Sequence, residues 1–146
     1  MSAAPILAGP KLSAAIALLS SAGLPTEDLS QQHCDCFFYT GPEAAPDGLV
    51  GLELLGDVAL LRSLVVAAGL RGAGAGARLL AHAESQARAR GVKTLYLLTT
   101  TAESFFARHG YASADRDGAP PAIRATREFS GICPASSAFM RKLLQA

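Results

Sequence analysis

The sequence predicts an α/β fold in a single domain covering residues 1–146. Three observations predict it. Helix-period and strand-like runs alternate along the chain. LVGLELL and DVALLRSLVV are apolar runs joined at Gly56 and Asp57, the pattern of a β-hairpin. VKTLYLLTT is almost continuously apolar, as expected of a strand with both sheet faces covered. Half of the residues are hydrophobic and 17% are charged, a composition that supports a packed core and excludes a disordered chain.

Taken in order, Ala4 to Leu7 reads as a short first strand. Leu12, Ala15, Ile16 and Leu19 recur at helical spacing and predict a helix over Leu12 to Ala22, stopped by Gly23 and Pro25. Thr26, Glu27 and Asp28 suit the first turn of a second short helix beginning near Pro25. CDCFFYT, Cys34 to Thr40, is strand-like, and GPEAAPDG is a turn. After the hairpin, a Gly-rich stretch opens a long helix to about Arg90, with Gly76, Leu79, Leu80, Ala83 and Ala87 on one face and Gly91 past its end. AESFFARHG reads as a short helix, YASADR as a strand, Pro121 to Phe129 as helical, and Ser136 to Leu144 as the last strand.

Several partners are disfavoured. The net charge is +1 and the thirteen Lys and Arg are scattered, which argues against nucleic acid. The longest apolar region, LVGLELLGDVALLRSLVV, is interrupted by Glu53, Asp57 and Arg62 and falls short of a membrane span. Lys11 followed by LSAAIALLSSAG has the look of a signal peptide, but a lone lysine and a helical period fit a folded helix better. Three cysteines give no disulfide framework, so a reducing, cytoplasmic setting is expected. The expected partner is a small molecule, and a homodimer is left open.

RGAGAGARLL, Arg71 to Leu80, is the most unusual stretch. A Walker A loop is excluded, because no lysine and hydroxyl follow Gly76. Gly72, Gly74 and Ala77 satisfy a dinucleotide fingerprint in letters, but the next strand ends in Thr99, Thr100 and Thr101 where that motif needs an acid. The third pattern is Arg71-x-x-Gly74-x-Gly76 between a strand and a helix. There, unpaired N–H groups at a helix N-terminus can converge on a diphosphate, and side chains no larger than alanine let it approach. A plain tight turn would need one glycine, not three.

R-G-x-G-x-G after a hairpin ending in L-V-V resembles the acetyl-CoA signature of the GNAT (Gcn5-related) N-acetyltransferases. AESFFARHGY is similar to that superfamily's A-x-x-F-Y-x-x-x-G-F segment, with Phe105, Phe106, Gly110 and Tyr111 at the matching places. ALLRSLVV, LYLLTTTAESFFARHGY and PAIRATREFSGICPASSAFMRK resemble the arsenic-resistance members. The resemblance implies a mixed, mostly antiparallel sheet with helices on both faces. It implies acetyl-CoA as co-substrate, with its pantetheine arm along Leu64, Val65 and Val66 and its pyrophosphate on Arg71, Gly72, Ala73, Gly74, Ala75 and Gly76. Phe106 would stand beside the cofactor. It further implies acetylation of an amino group on a small, toxic, amino-acid-like compound, such as an arsenic- or phosphorus-containing glutamate analogue.

The sequence departs from the family at one point. Phe106 stands where many members carry a tyrosine that protonates the leaving thiolate, so that role is not carried over, and Tyr111 matches a core aromatic. A second reading therefore stays open: a GNAT-like protein that binds acetyl-CoA or an arsenical without turnover. Glu53 is the candidate base, directly or through water, against a solvent-facing role. Arg62 is a charge in an apolar run and wants a carboxylate, from the protein or from a substrate. Thr99 and Thr100 could line the substrate cleft, or Thr100 or Thr101 could cap the following helix. Arg124 and Arg127 lie one helical turn apart and read as a solvated face, with an acidic substrate as the alternative. Cys34, Cys36 and Phe38 share one face of a strand and read as core, so no metal is expected.

Overall fold

The computed structural model describes residues 5–70, 74–134 and 136–144. Among these residues seven strands form one sheet: β1 (Leu7–Ala8), β2 (Phe37–Thr40), β3 (Gly48–Leu55), β4 (Val58–Val66), β5 (Thr94–Thr99), β6 (Ala112–Ser113) and β7 (Ala138–Leu143). Their spatial order is β1-β2-β3-β4-β5-β7-β6, and only β4 and β5 run parallel. The helices are α1 (Leu12–Ser21), α2 (Gln31–Cys34), α3 (Ala75–Ala89), α4 (Glu103–Arg108) and α5 (Pro121–Arg124). A π-helical turn, Glu128–Ile132, follows α5.

Period-two alternation sorts the strands onto two cores. Phe38, Val50, Leu52, Ala59, Leu61, Leu95 and Leu97 face α3, with Leu79, Leu80, Ala83 and Ala87, and also Phe106 of α4. On the opposite face Phe37, Tyr39, Leu49 and Val65 meet Ala15 and Leu19 of α1, and Leu60, Tyr96 and Phe139 meet Ile123 of α5. Helices therefore cover both faces, and the mixed, mostly antiparallel sheet of the sequence-based expectation is present.

The hairpin turns at Gly56, whose φ of +84° suits glycine. Its register then carries a bulge. Gly51 pairs with Arg62 and Leu49 with Val65, so Ser63 and Leu64 together oppose Val50. Ser63 takes a φ of 61°, a left-handed conformation that a side chain adopts at a cost. The extra residue resets the alternation. Leu61 and Leu64 both face the α3 core, and Val65 returns to the α1 side. Across β2 and β3, Gly51 lies opposite Phe37 and so close to it that an added Cβ would come within 2.3 Å of the ring.

Beyond Leu60–Tyr96, β4 and β5 no longer pair. β4 continues with β3 to Val66, while β5 continues with β7 to Thr99. The sheet is split at its centre, and the split is where the cleft forms.

Three local expectations are corrected. Pro25 to Asp28 forms a loop closed by the Leu29 N–H on the Thr26 carbonyl at 3.1 Å, and the second helix begins at Gln31, after Ser30. His33 Nδ1 accepts the Ser30 N–H at 3.2 Å, which fixes that start. Consequently Cys34 ends α2 and does not share a strand face with Cys36 and Phe38, although it is fully buried. Finally, Thr99, not Thr100 or Thr101, receives the Ala102 N–H ahead of α4, at 3.0 Å. The first strand sits at Leu7–Ala8, and Ala4 lies outside the described residues.

Candidate active site

The split between β4 and β5 opens a cleft of about 520 Å³. Its walls come from four regions: Gly23–Glu27 after α1, Leu61–Leu64 of β4 with its bulge, Leu97–Ala102 with Phe106, and Glu128, Ile132–Pro134 and Ser137. Arg62, Leu64, Thr99, Thr100 and Phe106 of the predicted site thus converge on one space.

The long helix α3 starts close by. Gly74 precedes it with a φ of +80°, a conformation that favours glycine. A Cβ on Gly76 would stand 3.6 Å from Phe105 and 3.9 Å from Val66. The end of β4, the first turn of α3 and α4 therefore meet at one corner. Ala75 opens the helix, and Arg71, Gly72 and Ala73 lie outside the described residues.

Arg62 is the electrostatic centre of the cleft floor. Its side chain is 0% exposed. Nη1 donates to Asp28 Oδ2 and, at 2.8 Å, to Glu53 Oε2; Nη2 donates to Asp28 Oδ1 at 2.8 Å. Glu128 Oε2 completes the set with an ion pair 3.1 Å from Nη2. The protein itself thus provides carboxylates for the guanidinium, three of them. This is the structural salt bridge of the two readings left open for Arg62. Burial works against the guanidinium's charge, but these acids outweigh it and raise its pKa.

The three carboxylates differ. Burial opposes the Asp28 charge, yet its two bonds to Arg62 prevail and hold its carboxyl below the usual range. Glu53 opens on a smaller cavity of about 210 Å³ with His33 and Cys36, not on the main cleft. Glu128 lines the cleft itself and is 5% exposed. Burial pushes its carboxyl up; Arg62 pulls it down, Asp28 and Glu53 push it up again, and it settles at about 7.

Asp28, His33 and Glu53 bring ligand atoms within 4.8 Å of one another. Arg62 Nη1 already bonds both acids there, so the group is an ion-pair site whose cation is the guanidinium. Arg124 and Arg127 are exposed and absent from the cleft lining, and Arg124 Nη2 donates to the Asp117 carbonyl at 2.5 Å. Tyr111 also lies away from the cleft. It is buried in the α3 core and its hydroxyl donates to Glu84 Oε2 at 2.9 Å, while Lys142 Nζ holds the other Glu84 oxygen at 3.0 Å. Burial, then Glu84, raises the Tyr111 pKa.

Sequence reasoning missed Asp28, Glu128, Cys133 and Ser137. The demand of Arg62 for a carboxylate was the one signal, and it does not say which acid answers. Cys133 lines the cleft, and burial followed by the nearby Glu128 pushes its thiol up to about 11. Ser137 is 5% exposed, and its hydroxyl has no hydrogen-bond partner among the described residues.

Comparison with known proteins agrees with this geometry. A 68-residue segment is 43% identical to an amino-acid acetyltransferase of Ralstonia nicotianae, covering 47% of this chain and 14% of that protein. The fold superposes on the N-acetylglutamate synthase of Neisseria gonorrhoeae, solved with coenzyme A and N-acetyl-glutamate, with a TM-score of 0.82 and 22% identity, over 100% of this chain and 36% of that one. It superposes on a GNAT-family acetyltransferase of Staphylococcus aureus with a TM-score of 0.75 and 15% identity, over 98% of this chain and 100% of that one. The chain therefore spans only a part of the first two proteins. The family model of the acetyltransferase (GNAT) domain matches residues 33–113, from α2 through the split sheet to β6. The chain belongs to the acetyltransferase (GNAT) domain family.

Proposed function

We propose that the domain transfers the acetyl group of acetyl-CoA to the primary amine of a small, amino-acid-like molecule. The observation that carries this reading is the parting of β4 and β5 beside the start of α3. In it, the side of β4 that parts from β5, at Leu64, Val65 and Val66, pairs with the amides of the pantetheine arm as an added strand would. The first N–H groups of α3, from Gly74, Ala75 and Gly76, receive the pyrophosphate, with Arg71, Gly72 and Ala73 completing the loop. Phe106 packs against the thioester end. The acceptor nitrogen attacks the thioester carbonyl, the C–S bond breaks, and coenzyme A leaves as the thiolate.

The finer substrate assignment is an arsenic- or phosphorus-containing glutamate analogue, with resistance to such compounds in the cytoplasm as the biological result. It is supported by the resemblance of the sequence to arsenic-resistance members and by the similarity to an amino-acid acetyltransferase. One observation favours the rival, a binder without turnover: Phe106 offers no phenol and Tyr111 is committed to Glu84. Release of free coenzyme A thiol from acetyl-CoA, followed with L-glutamate and 2-amino-4-phosphonobutanoate as acceptors, separates the two. Amine-dependent thiol release supports transfer. Binding of acetyl-CoA without thiol release supports the rival.

A further inference from the structure

The wall of the cleft from Glu128 to Ser137 carries two features that the acetyl-CoA reading does not use. The first is the asymmetry among the acids on Arg62. Of Asp28, Glu53 and Glu128, only Glu128 lines the main cleft. The second is the buried Ser137 hydroxyl, without a partner among the described residues. Such groups are rare, because a buried hydroxyl left unpaired loses its hydration without compensation. Its backbone is tied on both sides: the Ser137 N–H donates to the Pro134 carbonyl at 2.9 Å, and Arg116 Nη2 donates to the Ser137 carbonyl at 2.8 Å. The Glu128 carbonyl in turn accepts the Cys133 N–H at 3.1 Å within the π-helical turn. Ser137 is thus a cleft-lining residue with a held backbone and a buried hydroxyl in want of a partner, the arrangement expected of a ligand contact.

From this geometry we infer that Glu128 and Ser137 form the subsite for the acceptor's ammonium group, and that Glu128 takes its proton. The inference rests on the acetyl-transfer reading and names the residues that prepare the nucleophile.

The chemistry follows from charge and donor count. An ammonium carries N–H donors that a carboxylate and a hydroxyl both accept. One guanidinium faces three acids here, so an entering cation relieves an excess of negative charge, whereas a carboxylate or phosphate is repelled from this wall. An acidic acceptor therefore docks amine first, with its acid groups towards the Thr99–Thr101 side of the cleft. The proton passes from nitrogen to Glu128. The freed lone pair forms the C–N bond as the C–S bond breaks, the nitrogen's second proton goes to the thiolate through solvent, and Glu128 releases its own proton to water. A carboxyl at about 7 is suited to accept and release a proton near neutrality. The charged groups around it are Arg62 from β4, Glu53 from β3 and Asp28 from the loop after α1. Cys133 and Arg116 stand at the end of the same wall. Arg62, Asp28 and Glu53 act as positioning residues.

The test compares wild type, Glu128→Gln, Glu53→Gln and Ser137→Ala. Acetyl-CoA affinity is measured by calorimetry, and kcat/KM against pH with L-glutamate, 2-amino-4-phosphonobutanoate and spermidine. Wild type should show an acidic limb with a midpoint near 7, activity rising as Glu128 ionises. Glu128→Gln should bind acetyl-CoA as wild type does, lose about 100-fold or more in kcat/KM at neutral pH, and lose that limb. Glu53→Gln removes an acid from the same guanidinium but should keep the limb. Ser137→Ala should raise KM for the amine several-fold with kcat little changed, and it carries the test should Glu128→Gln fail to fold. Retention of rate and limb in Glu128→Gln, loss of the limb in Glu53→Gln, or an unchanged amine KM in Ser137→Ala overturns the inference. Failure of wild type to bind acetyl-CoA, or to acetylate any of the three amines, removes the acetyl-transfer reading and the inference with it.

Discussion

Asp28 and Arg62 are joined by a two-point ion pair across 34 residues of chain: Asp28 Oδ1 accepts from Arg62 Nη2 at 2.8 Å and Oδ2 accepts from Nη1. The pair ties the loop after α1 to the strand that borders the cleft, beside the bulge at Ser63. Asp28→Ala should therefore cost about 3 kcal/mol in urea unfolding, the low end for breaking a buried pair, because Glu53 and Glu128 still compensate the guanidinium. Arg62→Met should cost more, since it leaves three acids without their cation. Equal costs would contradict this account of the cluster.

Glu128 also makes stability depend on pH. Its carboxyl titrates at about 7 when folded, against an ordinary value of 4.5. Between those values the folded state holds the extra proton, so stability falls as pH rises from about 4.5 to about 7 and is level above that. Asp28 has the opposite sign, contributing stability above its ordinary value and losing it as pH falls towards its depressed one. His82, whose proton affinity burial lowers, acts near neutrality in wild type and variant alike. The difference between wild type and Glu128→Gln isolates the glutamate. Thermal melts should show the variant gaining several degrees relative to wild type on going from about pH 5 to about pH 8.

Gly51 is a packing requirement. A methyl group there would meet the Phe37 ring at 2.3 Å, and Phe37 is 0% exposed between α1 and the sheet. Gly51→Ala should destabilise by about 2 kcal/mol or more, measured by urea unfolding, because the fully buried ring must shift to admit the methyl group.

Tyr111 separates structural from chemical roles. Its hydroxyl serves Glu84, 2.9 Å away in the α3 core, and no part of the cleft. Tyr111→Phe should lower stability by about 1–3 kcal/mol, as Glu84 loses a buried donor. Acetyl transfer at neutral pH should stay within about twofold of wild type, less than the change expected on losing a catalytic acid. A larger fall in kcat would give this phenol a part in the chemistry.

The parts of the fold that were legible in the sequence are those fixed by short-range pattern. The Gly56 hairpin, α3 between Gly74 and Gly91, and the apolar β5 each follow from spacing or turn chemistry within a dozen or so residues. Cys34 was misplaced because the start of α2 depends on His33 folding back onto Ser30, an uncommon variant of the Ser-x-x-Glu signal. The bulge at Ser63 left no mark, since VALLRSLVV is apolar on both faces and its phase cannot be read. The cluster was half legible. Arg62 announced a need for carboxylates, but Asp28 and Glu128 lie 100 residues apart and meet only through the tertiary fold. Glu128 is least visible of all, because nothing in the sequence from Pro121 to Phe129 distinguishes the π-helical turn that carries it from the tail of a regular helix.

Calorimetric titration of acetyl-CoA into wild type and Gly74→Glu decides whether the split sheet and the Gly74 helix start form an acetyl-CoA site. Gly74 holds a φ of +80° at the helix entrance, and a glutamate there adds both backbone strain and a negative charge where the diphosphate would sit. Wild type should bind one-to-one and the variant should lose binding, with melting curves showing that the variant remains folded. Absence of binding by wild type, or equal binding by a folded Gly74→Glu, would rule out an acetyl-CoA site at this corner.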